Sequence, residues 1–144
     1  MRWIIITTAA AAAAVIGTTA ATAREDTGKR FQANLQGEVE VPVMGDPDGT
    51  GSATVRINPG RGQLCYTLRV RGIEPATAAH IHEAPAGSAG PVVVGLTAPT
   101  GGSSQGCVAI SREEARDIIR DPENYYVNVH NAEYPGGALR SQLG

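Results

Sequence analysis

All three histidines of the 144-residue chain lie in two short runs, Ala78-Ala79-His80-Ile81-His82-Glu83 and Tyr126-Val127-Asn128-Val129-His130. Side chains alternate between the faces of an extended strand, so His80 and His82 share one face while Ile81 points away; the same rule groups Tyr126, Asn128 and His130. Positions two apart on a strand stand about 6.5 to 7 Å apart, a span that two imidazoles can close onto one ion about 2 Å from each nitrogen. A third imidazole from a neighbouring strand completes a facial cap and leaves a coordination position open. Neutral imidazole suits copper and zinc better than calcium or magnesium, and the general affinity order of divalent ions places copper before zinc. The pattern therefore predicts a metal site of His80, His82 and His130. The plainer alternative is three polar residues on a solvated sheet face.

No fourth donor is legible. Tyr126 and Asn128 share the face of His130 and, with Glu133, are candidates for orienting the ligands from behind. Arg140 is a cation that would draw an anion toward the site, or else an exposed strand arginine. Other chemistries lack support. Ser103-Ser104 has no Gly-x-Ser-x-Gly context for a hydrolase. The Gly45-Asp46-Pro47-Asp48-Gly49-Thr50-Gly51 run lacks the ligand spacing and closing glutamate of a calcium loop, and turn-forming aspartates account for it better. No catalytic residue is assigned.

The elements that must carry these residues follow a leader. Met1-Arg2-Trp3, an apolar run from Ile4 to Gly17 and the small-residue ending Ala21-Thr22-Ala23 describe a secretory signal peptide over residues 1–23. The run is short of the ~20 apolar residues of a membrane span, so no span is expected after cleavage. Without Arg2, eleven basic residues face fourteen acidic ones, a formal charge of −3 with no basic block, which argues against a nucleic-acid partner. Two cysteines, Cys65 and Cys107, in an exported chain read most simply as one disulfide.

A charged tether over residues 24–30 precedes a single domain over 31–143. Alternating segments predict strands over 31–36, 38–43, 52–57 and 63–71, the second an edge or strand end because Pro42 cannot donate to a ladder. Ala53, Val55, Ile57, Leu64, Tyr66, Leu68 and Val70 are the inward residues of the third and fourth strands. The first histidine run is next, then a small-residue loop over 85–90, a buried strand over 91–96, a loop over 100–106 and a strand over 107–110. One helix is expected over 112–120, where Ser111 and Glu114 have capping-box spacing. A strand over 125–130, a turn over 133–137 and a last strand over 138–143 complete an all-β fold: an antiparallel, Greek-key-like β-sandwich with one short helix.

The runs Leu64-Cys65-Tyr66, Ala78-Ala79-His80-Ile81-His82, Gly90-Pro91-Val92-Val93-Val94, Gly106-Cys107, Tyr125-Tyr126-Val127-Asn128-Val129-His130 and Tyr134-Pro135-Gly136-Gly137-Ala138-Leu139-Arg140-Ser141-Gln142-Leu143 resemble the CHRD domain. This is the module named after chordin and found alone in many exported bacterial proteins. The resemblance spans 31–143, departs at Ser141, where the family pattern usually has glycine, and implies a β-sandwich in an extracytoplasmic location. A weaker local likeness links His80-Ile81-His82-Glu83, Ala89-Gly90-Pro91 and His130 to the copper ligands of copper/zinc superoxide dismutase. The bridging imidazole and the dedicated zinc ligands of that enzyme have no counterpart between His82 and His130.

The leading expectation is thus a secreted or periplasmic CHRD-type protein binding copper or zinc through three histidines. A second expectation is a metal-free module that holds a protein or glycan partner through its loops. A copper-dependent dismutase-like enzyme ranks below both.

Overall fold

A computed structural model describes residues 28–144, so the signal-peptide reading and most of the tether lie outside the described residues. Eight strands form one antiparallel sheet: β1 (Lys29–Gln36), β2 (Thr50–Asn58), β3 (Gln63–Arg71), β4 (Ala76–Glu83), β5 (Val92–Leu96), β6 (Ser103–Ala109), β7 (Tyr125–Asn131) and β8 (Leu139–Gln142). The order β5-β4-β7-β8-β1-β2-β3-β6 mixes hairpin neighbours with the longer crossings β4–β7, β3–β6 and β8–β1. At the β8–β1 junction a single pair, Gln36↔Arg140, joins two four-stranded halves. The far edges approach as well: Thr97 N–H donates to the Tyr66 hydroxyl at 2.8 Å, and the Ser104 hydroxyl donates to the Thr97 carbonyl at 2.7 Å. The result is a sandwich close to a barrel.

One core fills the interior. Leu35, Val55, Ile57, Leu64 and Leu68 from one half meet Ala79, Ile81, Val94, Val127, Val129 and Leu139 from the other, all buried. The expected inward residues of β2 and β3 are indeed inward, Val70 less completely than the rest. Helix α1 (Arg112–Arg120) adds Ala115 and Ile118 to this core. The Ser111 hydroxyl caps it by accepting the Glu114 N–H at 3.0 Å. Among the described residues no helix is long and apolar enough to cross a membrane.

Four expectations change. The strand over 91–96 is not a buried one: β5 is an edge strand with Val92 exposed and only Val94 buried. Lys29 and Arg30 are not tether but the start of β1, paired with Ile57 and Arg56. Residues 38–43 are not a strand. The Glu40 and Gly45 N–H groups both turn back to the Gly37 carbonyl, and the peptide before Pro42 is cis. The apolar alternation there misleads because Val39 and Val43 are exposed while Glu40 is buried. Lastly, Ser103 to Gly106 form part of β6 rather than a loop, because β3 offers them partners from Arg69 to Tyr66.

Cys65 and Cys107 face each other across β3 and β6 and are joined by a disulfide. Asp46 is a turn former, its Oδ1 accepting the N–H groups of Asp48 and Gly49 at 3.0 and 3.1 Å.

Candidate metal centre

The register of β4 and β7 decides which side chains meet. His80 lies opposite Asn128, His82 opposite Tyr126 and Ala78 opposite His130, so His130 sits diagonally next to His80. All of these, Ala78 included, belong to the run of side chains that points away from the core, and diagonal neighbours of this kind are within reach of aromatic rings. Between Ile81 and His82 the pairing of β4 with β5 shifts register, an irregularity that re-aims the strand beside the site.

The three rings converge. Centroids are 5.1 Å apart for His80 and His130, 5.6 Å for His80 and His82, and 6.2 Å for His82 and His130. One nitrogen from each ring lies within 4.8 Å of the others. His80 Nδ1 and His130 Nε2 are 3.2 Å apart. Two nitrogens each about 2 Å from a tetrahedral ion would be separated by roughly 3.3 Å, so this pair already stands at ligand spacing.

Main-chain carbonyls fix the tautomers of the other two rings. His82 Nδ1 lies 2.9 Å from the Gly90 carbonyl oxygen, and His130 Nδ1 lies 3.0 Å from that of Pro135. A carbonyl only accepts, so each Nδ1 carries a proton, and the lone pair of the neutral ring is then on Nε2. Metal-bound histidines are usually held this way. His82 Nε2 is buried and has no hydrogen-bond partner, an uncommon state for a buried polar atom. Desolvation, aided by the neighbouring rings His130 and His82, holds His80 below the usual histidine range. Desolvation also lowers His130, with His82 adding to it and the Pro135 carbonyl opposing. Both shifts favour the neutral ring, the form in which imidazole is a ligand.

A packed polar layer stands behind the rings. Tyr126 stacks on His82 with centroids 4.8 Å apart and planes 5° from parallel, and the Arg140 guanidinium lies over the Tyr126 ring at 3.5 Å. The Tyr126 hydroxyl accepts the Gly90 N–H at 3.2 Å, so Gly90 grips both stacked rings, one through its N–H and the other through its carbonyl. A side chain at Gly90 would run into the Glu83 carbonyl. Arg140 donates to the Pro85 carbonyl at 3.1 Å and to Gln142 Oε1 at 3.0 Å from Nη2, while its buried Nη1 has no partner. It is only 1% exposed, which places it as a support for Tyr126 rather than as an open anion trap.

Asn128 also faces the outer side, where its amide donates to the Leu139 carbonyl at 3.2 Å and to the carboxylate of Glu40. Burial raises the pKa of Glu40, against the lowering effects of the Val41 N–H, Arg140 and Asn128. The connection carrying Glu40 therefore folds over this half of the sheet and buries Asn128 to 2% exposure. Glu133 lies elsewhere. It is exposed, forms no hydrogen bond or ion pair with the histidines among the described residues, and lines an apolar depression of about 260 Å³ with Val41 to Met44 and Tyr134 to Gly137.

Sequence reasoning found the three rings, Tyr126, Asn128 and Arg140, and missed Glu40 and the carbonyls of Gly90 and Pro135. Carbonyl donors leave no residue-type signal. Glu40 was hidden by an apolar alternation that assigned it to a solvent face.

No curated protein and no solved structure matches the chain. The likeness to copper/zinc superoxide dismutase therefore rests on local spacing alone. The model of the CHRD domain matches residues 31–143, from the middle of β1 to the residue after β8 and across every residue of the histidine cluster. The chain belongs to the CHRD domain family.

Proposed function

We propose that this is an exported protein whose task is to bind one transition-metal ion, copper or zinc, through His80, His82 and His130. One observation carries the reading: one ring nitrogen from each of the three histidines lies within 4.8 Å of the others, and the buried Nε2 of His82 has no hydrogen-bond partner. Leaving such an atom unpaired costs about 1 to 3 kcal/mol, a cost that an ion bound there would remove. Three nitrogen donors on rigid strands leave a position for a small ligand, and nitrogen-only ligation favours copper over zinc by general affinity order. Export is supported by the N-terminal Met1-to-Ala23 pattern and by the Cys65–Cys107 disulfide, since such bonds persist in oxidising compartments.

The test is elemental analysis after equilibrium dialysis of metal-free mature protein against copper(II) or zinc(II). Wild type should retain one equivalent, and the His80→Ala/His82→Ala variant should retain less than about a tenth of that. Equal retention by the two would show the rings to be hydrogen-bonded structural residues.

A further inference from the structure

The half of the sandwich opposite the histidines carries a second surface. β1, β2, β3 and β6 contain no aspartate or glutamate, yet they hold Lys29, Arg30, Arg56, Arg69 and Arg71. The overall charge of −2 conceals this asymmetry. The register assembles the outward side chains into rows: Arg30, Arg56, Cys65 and Cys107; then Gln32, Thr54, Thr67 and Gln105; then Asn34, Ser52, Arg69 and Ser103. Arg71 lies beyond the last row, opposite Thr50. Arg30, Arg56, Arg69 and Arg71 are exposed, and among the described residues none of their guanidinium groups has a hydrogen bond or ion pair. The surface is not flat throughout: a depression of about 540 Å³ opens at one end, lined by Asn34, Ser52, Arg69, Arg71, Gly102 and Ser103. The acidic residues nearest in sequence, Asp26, Glu38, Asp48 and Glu74, lie outside these four strands.

We propose that this face binds an acidic polysaccharide. Unpaired guanidinium groups match carboxylate or sulfate in bidentate geometry, and the amide and hydroxyl rows between them match sugar hydroxyls. The face has no outward aromatic or large aliphatic side chain, so it lacks both the anchors of a protein interface and the stacking platforms of a single-strand nucleic-acid site. The Arg30–Arg56 pair and Arg69 are four strand positions apart, about 14 Å. A single sugar acid cannot reach both clusters, whereas a polymer engages them together and gains from multivalency.

The experiment is calorimetric titration of the mature chain with polygalacturonate, with galacturonic acid, neutral dextran and duplex DNA as comparisons. Polygalacturonate should bind at about 0.15 M salt and weaken as salt rises. Galacturonic acid and dextran should give no measurable binding. The Arg56→Glu/Arg69→Glu variant should bind about tenfold or more weakly, and the equal-charge control Arg112→Glu/Arg116→Glu, placed on α1, should bind as wild type does. Thermal melts and copper retention would confirm that each variant is folded. Absence of polymer binding, equal binding by the strand-face variant, or DNA binding as tight as that of polygalacturonate would overturn the proposal.

Discussion

Asn128 is the residue where the histidine site meets the rest of the molecule: its neighbour on β4 is His80, and its amide holds the carboxylate of Glu40. The approach is tight enough that a side chain at Gly137, whose φ is +146°, would collide with both Glu40 and Asn128. Burial raises the Glu40 pKa, so the folded state binds this proton more firmly than the unfolded chain does. The associated stabilisation is full below the unfolded value near 4.5 and is lost as pH rises through the folded value. Glu40→Gln removes that titration while keeping an acceptor for Asn128. The stability of the variant relative to wild type should therefore rise from about pH 4 to pH 7. Urea denaturation across that range measures it, and a flat or falling difference would show that the carboxylate is held charged by Asn128 and Arg140 instead.

At the scale of elements, the two halves of the sandwich have separate duties. β4 and β7 position the histidines, and the loops that follow β4 and β7 supply the Gly90 and Pro135 carbonyls. β3 and β6 carry the disulfide, which closes a loop with a sequence separation of 42. Removing a crosslink of that length costs about 4 kcal/mol in the chain-entropy model. Cys65→Ser/Cys107→Ser should accordingly lower the unfolding free energy by about that amount while leaving metal retention intact below the new transition. If metal retention fell in step with stability, the halves would be coupled more strongly than a single β8–β1 pair implies.

For the whole molecule, a ligand that binds only the folded state stabilises it by mass action. At a free copper or zinc concentration of 100 times the dissociation constant, the gain is about 2.7 kcal/mol, several degrees in melting temperature for a domain of this size. Metal-free wild type should show that rise on metal addition and lose it on chelation. His82→Ala should show neither change. A rise of equal size in His82→Ala would move the binding to a different part of the chain.

The sequence by itself determined the all-β class, the single capped helix, the cysteine pairing and the family, because strand alternation, capping spacing and oxidised cysteine pairs are local or compositional signals. It also put His80 and His82 on one face, since that follows from a two-residue period. It misjudged residues 38–43 for the same reason: alternation reports that a segment could lie on a core, and Val39 and Val43 found none there. Only the tertiary structure decided that Ala78 rather than His80 lies opposite His130, which carbonyl fixes each ring, and that a buried glutamate reaches Asn128 from 88 positions away. Those outcomes depend on register and on loop paths. Both are set by the packing of many distant residues at once, and no single stretch of the chain encodes them.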